Sequence, residues 1–274
     1  RDERGLGTYT PSAFPVLAVE HGHRYNFFCA PDPLTNQTIA PGTITPPGYF
    51  FTRIAALHVT QRRPAPGDTL VPLAPADSDN ESQKLLLEYR KIWDWALNYL
   101  TVKNRFDEDL ILTNVDGFKG TFSVNDLVPH RTQPDGRIDV KLYNGIQDTW
   151  DQRQKLNRVP VHIPVKRAIM NSDNSLETDE QARIQYFMNP ASDKRIVVFG
   201  HTHAPTMVAS MNTEGLKCVY VNSGTWIDHN PNSTTMQFVV ISPQKADASS
   251  KTLVKLYNFE NELANIMAEE SLRF

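Results

Sequence analysis

Arg195-Ile-Val-Val-Phe-Gly-His201-Thr-His203-Ala-Pro205 is the stretch on which the reading of this chain turns. Its short apolar, β-branched run predicts a buried strand. The run stops at Gly200, and a strand that ends there delivers the next side chains to the edge of a sheet, where ligands sit in open α/β folds. Two histidines follow, one residue apart, and neutral imidazole is the commonest metal ligand among side chains. A second stretch has the same form. Ala13-Phe-Pro-Val-Leu-Ala-Val-Glu20 is apolar and runs into His21, Gly22 and His23. Laid side by side, the two predicted strands would bring up to four imidazoles into one pocket. A single His-x-His also occurs by chance on surface loops. Two of them, each after a buried-strand pattern and each with glycine beside its first histidine, point to a metal site. Imidazole ligands without cysteine favour Zn, Mn, Fe, Co or Ni over a thiolate structural site. An open site of that kind suits hydrolysis.

Gly200-His-Thr-His203 after a Val-rich strand resembles the last motif of the calcineurin-like metallophosphoesterases, and His21-Gly22-His23-Arg24 resembles the preceding His motif of that family. The nearest branch is that of the UDP-2,3-diacylglucosamine pyrophosphatase-like enzymes. The segment after His203 fits too. Residues 207–211, 216–226, 236–241 and 252–257 read as four strands, and Asn222-Ser-Gly-Thr-Trp226 matches a turn found among the family's antiparallel strands. The resemblance covers about residues 13–28 and 190–260. It implies an α/β fold: the C-terminal part of a metallophosphoesterase α/β/β/α sandwich with a partly helical cap insertion. The implied division is 1–28 as the end of the N-terminal half of the core, 29–190 as the cap, and 191–274 as the C-terminal half of the core.

The site residues follow from the same resemblance. His21 and His201 would share one metal ion and His203 would hold a second, the pair being divalent Mn, Fe, Zn or Ni. His23 and Arg24 would contact a substrate phosphate, for which a guanidinium fork is well suited. Glu20 is expected to be structural or to support a ligand. The implied activity is hydrolysis of a phosphodiester, phosphomonoester or pyrophosphate bond by a dinuclear centre. The substrate would be a phosphate-containing small molecule or a lipid-linked one. The chain departs from the family in one respect: the Asp-x-His, Gly-Asp-x-x-Asp and Gly-Asn-His-[Asp/Glu] motifs do not occur in it. Gly67-Asp68 lacks the second aspartate. No catalytic residue is therefore assigned, since the general-acid histidine belongs to those motifs. The expectation is a C-terminal piece of a longer polypeptide, with an N-terminal segment docked against the bare edge of the first strand. The alternative is a non-catalytic scaffold or interaction protein on the same fold.

Between the His motifs, residues 29–48 and 63–75 read as irregular, Pro-rich loops. A helix is predicted to begin at Tyr49, with His58 on its face. Residues 82–100 form the clearest amphipathic pattern, with Leu85, Leu86, Tyr89, Ile92, Trp93, Ala96, Leu97 and Leu100 on one side. That stripe reads as a core seam, or as the wall of an acyl or nucleoside pocket. The aromatics Tyr49, Phe50, Phe51, Trp93, Trp95 and Phe118 would suit a lipid-linked or nucleoside diphosphate substrate if the insertion is a cap. Residues 114–120 read as a turn, with a phosphate contact through Lys119 as its functional alternative. A further helix is predicted over 177–188, ended by Asn189-Pro190.

The formal net charge of −3 argues against broad nucleic-acid binding, which needs a clustered basic face. No run is long enough to span a bilayer and no signal-peptide pattern is present, which fits a cytoplasmic or peripheral membrane location. Cys29 and Cys218 read as inert buried thiols, with a disulfide between them as the alternative. Asn-x-Ser/Thr triplets begin at Asn36, Asn80 and Asn232. His130, His162 and His229 have no partner motif and read as surface residues.

Overall fold

The computed structural model describes residues 7–65, 69–75, 79–102, 106–131, 134–227, 235–244 and 250–274. Gly67-Asp68, His229 and the triplet at Asn232 lie outside them. In chain order the elements are β1 (Leu17–Val19), α1 (Pro47–Thr60), α2 (Glu81–Leu97), β2 (Ile111–Val115), β3 (Phe118–Phe122), β4 (His130–Arg131), β5 (Ile138–Asp139), α3 (Trp150–Leu156), α4 (Val165–Met170), α5 (Ser175–Ala182), β6 (Ile196–Phe199), β7 (Thr206–Met211), β8 (Lys217–Asn222), β9 (Gln237–Ser242), β10 (Thr252–Glu260) and β11 (Leu263–Leu272). A 3-10 turn, His23–Tyr25, follows β1, and a π-helical turn, Arg183–Phe187, follows α5. The fold is thus mixed α and β, with a mixed sheet. Two compact units divide the chain, residues 1–23 with 174–274, and residues 24–173. Both divisions fall earlier than the expected ones after 28 and 190, so α5 belongs with the strands that follow it.

The first unit is organised around β6. All four of its side chains are buried, and a strand covered on both faces is apolar throughout, without alternation. It lies inside a four-stranded sheet of order β1-β6-β8-β7. β1 and β8 flank it in parallel, with Leu17 opposite Ile196 and Phe199 opposite Asn222. β7 runs antiparallel to β8. One face of this sheet, with Leu17, Ile196, Val198, Val219 and Val221, packs against Val254, Leu256 and Leu272 of a second sheet, β11-β10-β9. On the other face Phe199 meets Tyr186 and Tyr220 edge-on, at 6.4 and 5.5 Å between ring centres. Asn174 starts α5 by accepting a hydrogen bond from the Leu176 amide at 3.0 Å, the usual device for an unsatisfied helix N-terminus.

Two features of this unit depart from expectation. The outer edge of β1 is not bare. Tyr9 exchanges both backbone hydrogen bonds with Val19, at 2.7 and 2.8 Å, and the Leu17 amide donates to the Phe14 carbonyl. The chain closes that edge with its own residues. The second feature is β11, a fifth strand after His203. It forms a hairpin with β10 through Asn261 and Glu262, both at positive φ, as two-residue hairpin loops require. Its Leu-Ala-Asn-Ile-Met-Ala-Glu-Glu sequence favours helix by local propensity. Pairing along β10 outweighs that preference.

The second unit is built on aromatic packing. Phe51 stacks on Trp93 at 4.6 Å, Phe28 stacks on Tyr89 at 5.2 Å, and Phe27 meets Trp150 at 5.3 Å. The predicted stripe of α2 is its seam: Leu85, Leu86, Tyr89, Trp93, Ala96 and Leu97 are buried, while Ile92 and Leu100 are half-buried. Asn80 caps the helix by accepting from the Gln83 amide. Phe50 and Phe118 are also fully buried and pack on each other at 5.4 Å. Phe50, Phe51, Trp93 and Phe118 therefore form core here rather than the lining of a substrate pocket. Residues 114–120 are part of the β2–β3 hairpin, whose turn residues Asp116 and Gly117 sit at φ 48° and 80°, and Lys119 is exposed on β3. Asn36 is fully buried, with its side-chain oxygen accepting from the Tyr143 amide, so that triplet is closed to modification in the folded chain. Both cysteines are free thiols, and burial pushes Cys29 up to about 11. Among the described residues, no helix is long and apolar enough to cross a membrane.

The α2 seam gives a direct test. Trp93→Ala is expected to cost about 3–5 kcal/mol in urea denaturation. Trp95→Ala, two residues away at a half-exposed position, is expected to stay within about 0.5 kcal/mol.

Candidate functional site

The parallel alignment of β1, β6 and β8 brings the carboxyl ends of three strands to one edge of the sheet. Glu20 and His21 leave β1 there, Gly200 and His201 leave β6, and Asn222 ends β8. Hydrogen bonds continue past the formal strands. The Glu20 amide donates to the Val198 carbonyl at 3.0 Å, and the Gly200 and His201 amides donate to the His21 carbonyl at 3.3 and 2.9 Å. This staple sets the two histidine motifs side by side. His21 lies 5.0 Å from His201 and 5.0 Å from His23 between ring centres. His203 is close enough to depress the protonation of both His21 and His201.

Gly22 is required between its two histidines. Its φ is +92°, and a Cβ there would lie 3.0 Å from Cδ2 of Phe199. The chain thus turns tightly against β6 without displacing the ring beneath it. Glu20 is buried and accepts a hydrogen bond from the Tyr186 hydroxyl at 2.7 Å. Its charge opposes the lowering of the His21 pKa.

Burial is the first cause of the electrostatics at this edge. It lowers the pKa of His201 to about 4, aided by His21, His23 and His203. His21 is lowered as well, mainly by burial and then by His203, although the residue keeps a solvent-exposed side. Both rings are therefore neutral at pH 7, the form in which imidazole binds a cation. Two imidazoles bound at about 2.1 Å to one tetrahedral ion have ring centres about 5 Å apart, and His21 and His201 stand at that spacing. Among the described residues, no three His, Cys, Asp or Glu side chains are grouped closely enough to hold an ion as they are placed. His23 stands at the same spacing from His21, so by spacing either His201 or His23 could share an ion with His21.

The other expected residues have partners of their own. Arg24 is buried in the second unit. Its Nη1 donates to the carbonyls of Asn157 and Arg158 at 3.4 and 3.0 Å, and its Nη2 donates to the Tyr25 hydroxyl at 2.8 Å. Its guanidinium thus ties two backbone carbonyls to the Tyr25 hydroxyl. His58 is bonded to the Thr101 carbonyl, His130 to the Val128 carbonyl, and His162 pairs with Asp151 at 2.6 Å. Asn222 is more than the turn residue the sequence suggested. It is fully buried, and its side-chain amide donates to Thr202 Oγ1 at 2.7 Å and to Asp179 Oδ1 at 3.0 Å. Its position after a Val-rich strand was visible in sequence; its partners, from a helix and from the His201 loop, were not.

The histidine pKa shifts predict a pH dependence for the metal-free protein. The unfolded chain protonates His201 near its ordinary value of 6.5, and the folded chain resists protonation until about pH 4. Stability is therefore expected to fall as pH drops through that window and to level below it, by at most about 3 kcal/mol from this group. His201→Gln should flatten the slope between pH 6.5 and 4 in denaturant titrations.

Comparison with protein-family models, with characterised proteins and with solved structures finds no match to this chain.

Proposed function

We propose that the first unit carries the histidine half of a metal-dependent phosphoesterase centre of the calcineurin-like kind. The observation that supports this reading is the parallel pairing of β1 with β6, which puts two separately encoded His motifs at the carboxyl edge of one sheet. The helix, four-stranded sheet and three-stranded sheet stacked in this unit agree with the core half of the sandwich that the resemblance implies.

In this reading His21 and His201 hold one divalent ion and His203 takes part in a second site, with Mn, Fe, Zn or Ni as the candidate metals. Bound ions would supply Lewis acidity toward a phosphoryl oxygen and lower the pKa of water. The chain's own contribution is to keep His21 and His201 neutral by burial. It also holds the two loops together through the His21 carbonyl, and offers His23 at the rim as a contact for a substrate phosphate. Arg24 Nη1 is engaged by the Asn157 and Arg158 carbonyls and its Nη2 by the Tyr25 hydroxyl, so this reading assigns the phosphate contact to His23 alone. Neutral imidazoles bring no negative charge to bridge two cations, so the proposal includes a docked carboxylate-bearing segment as partner. With residues 1–274 alone, metal uptake should be weak and turnover slow.

The test is metal content by mass spectrometry after incubation with Mn²⁺ or Zn²⁺, with bis(p-nitrophenyl) phosphate hydrolysis measured on the same samples. The expected result is uptake that His201→Ala lowers by roughly tenfold or more in affinity, since it removes one of the few ligands. Absence of uptake by the parent chain, or equal uptake by the variant, would sink the metal reading and leave a non-catalytic scaffold as the function.

A further inference from the structure

The loop that carries His201 and His203 is backbone-strained. His203 has φ 58°, a left-handed conformation that an ordinary side chain adopts only when its surroundings impose it. Backbone hydrogen bonds account for part of the restraint: the His203 amide donates to the Gly200 carbonyl at 3.0 Å, and the His201 amide to His21. Thr202, between the two histidines, is held by a side chain. Its Oγ1 accepts from Asn222 Nδ2 at 2.7 Å. That Asn has no rotational freedom left, because its second N–H donates to Asp179 at 3.0 Å and its Oδ1 accepts from the Gly224 amide at 2.9 Å. Asp179 is fixed in turn by the Tyr220 hydroxyl, which donates to the same Oδ1. Asp179 belongs to α5, which packs on the side of the sheet away from the apolar sheet-to-sheet core.

We propose that Asp179 is a positioning residue for the His201-Thr202-His203 loop, acting through Asn222 on Thr202 so that His203 is held left-handed beside His21. The chemistry asks for a carboxylate or amide oxygen at residue 179, since two donors, from Tyr220 and Asn222, converge on one acceptor atom. Without that acceptor the Asn222 amide is free to turn, Thr202 loses its anchor, and His203 relaxes toward the ordinary right-handed or extended regions. The conformational part of this inference stands apart from the metal reading. Its consequence for metal uptake rests on that reading.

The experiment compares the parent chain with Asp179→Ala, Asp179→Asn and Thr202→Val. Backbone and imidazole NMR resonances of His201 and His203 are recorded without metal, and Co²⁺ binding is followed by its visible absorption. The alanine and valine variants should shift the His203 Cα and Cβ resonances away from left-handed values and broaden both rings. Asp179→Asn, which keeps the acceptor oxygen, should leave them as in the parent. Cobalt affinity should fall roughly tenfold in Asp179→Ala and Thr202→Val and stay at the parent level in Asp179→Asn. Thr202→Val is nearly isosteric and decides the matter if Asp179→Ala does not fold. Unchanged His201 and His203 resonances in the folded variants would overturn the proposal, whatever the cobalt result. A parent chain that binds no cobalt would count against the metal reading alone, leaving the NMR comparison to judge the positioning role.

Discussion

The pairing of β1 with β6 is the constraint on which the first unit depends. Only three residues of β1 are regular strand, and each is matched to a residue of β6. Those few ladder bonds, extended by Glu20, Gly200 and His201 beyond the strand ends, join parts of the chain that sequence keeps far apart. β6 is suited to the role because it is buried on both faces. Its Ile196 and Val198 meet the second sheet, and its Phe199 meets the aromatic layer of Tyr186 and Tyr220. A slip of one residue would exchange those faces and carry His201 away from His21.

At the candidate site the fold itself sets the charge state of two imidazoles. Burial lowers the pKa of His201 and His21; His21, His23 and His203 lower His201 further, and His203 lowers His21 further against the opposing charge of Glu20. Gly22 lets one loop pass close over Phe199, while the hydrogen-bonded side chains of Asp179, Asn222 and Thr202 restrain the other. One loop is therefore shaped by a missing Cβ and the other by side-chain anchoring. Both converge on the His21 carbonyl, which receives the Gly200 and His201 amides.

Much of this was legible in sequence because it follows from periodicity. The apolar run 196–199 ending at glycine, the helical stripe from Leu85 to Leu97, and the Val-rich segment before Asn222 each state their burial directly. What stayed hidden depends on partners. β11 has the composition of a helix and becomes a strand through pairing with β10. The β2–β3 hairpin was read as a turn because Asp116-Gly117 stands out more than its short, partly polar strands. Arg24 sits in the sequence where a phosphate ligand would stand, and only its carbonyl partners show its structural use. Asn222 joins α5 to the His201 loop through contacts that no local pattern encodes. The expected bare edge of β1 is closed by Tyr9, a residue whose surrounding sequence gives no strand signal.

The separation of β1 from β6 also sets a timetable for synthesis. At about 5–20 residues per second, a ribosome needs roughly ten to thirty-five seconds after completing Val19 to reach Val198. Throughout that interval residues 24–173 can collapse around their own aromatic core, whereas β1 has only Tyr9 to occupy one of its edges. Its other edge, and with it the left half of the histidine cluster, waits for a strand not yet made. A nascent chain stalled before residue 196 would thus display residues 24–173 folded and the histidine edge of the sheet still unformed.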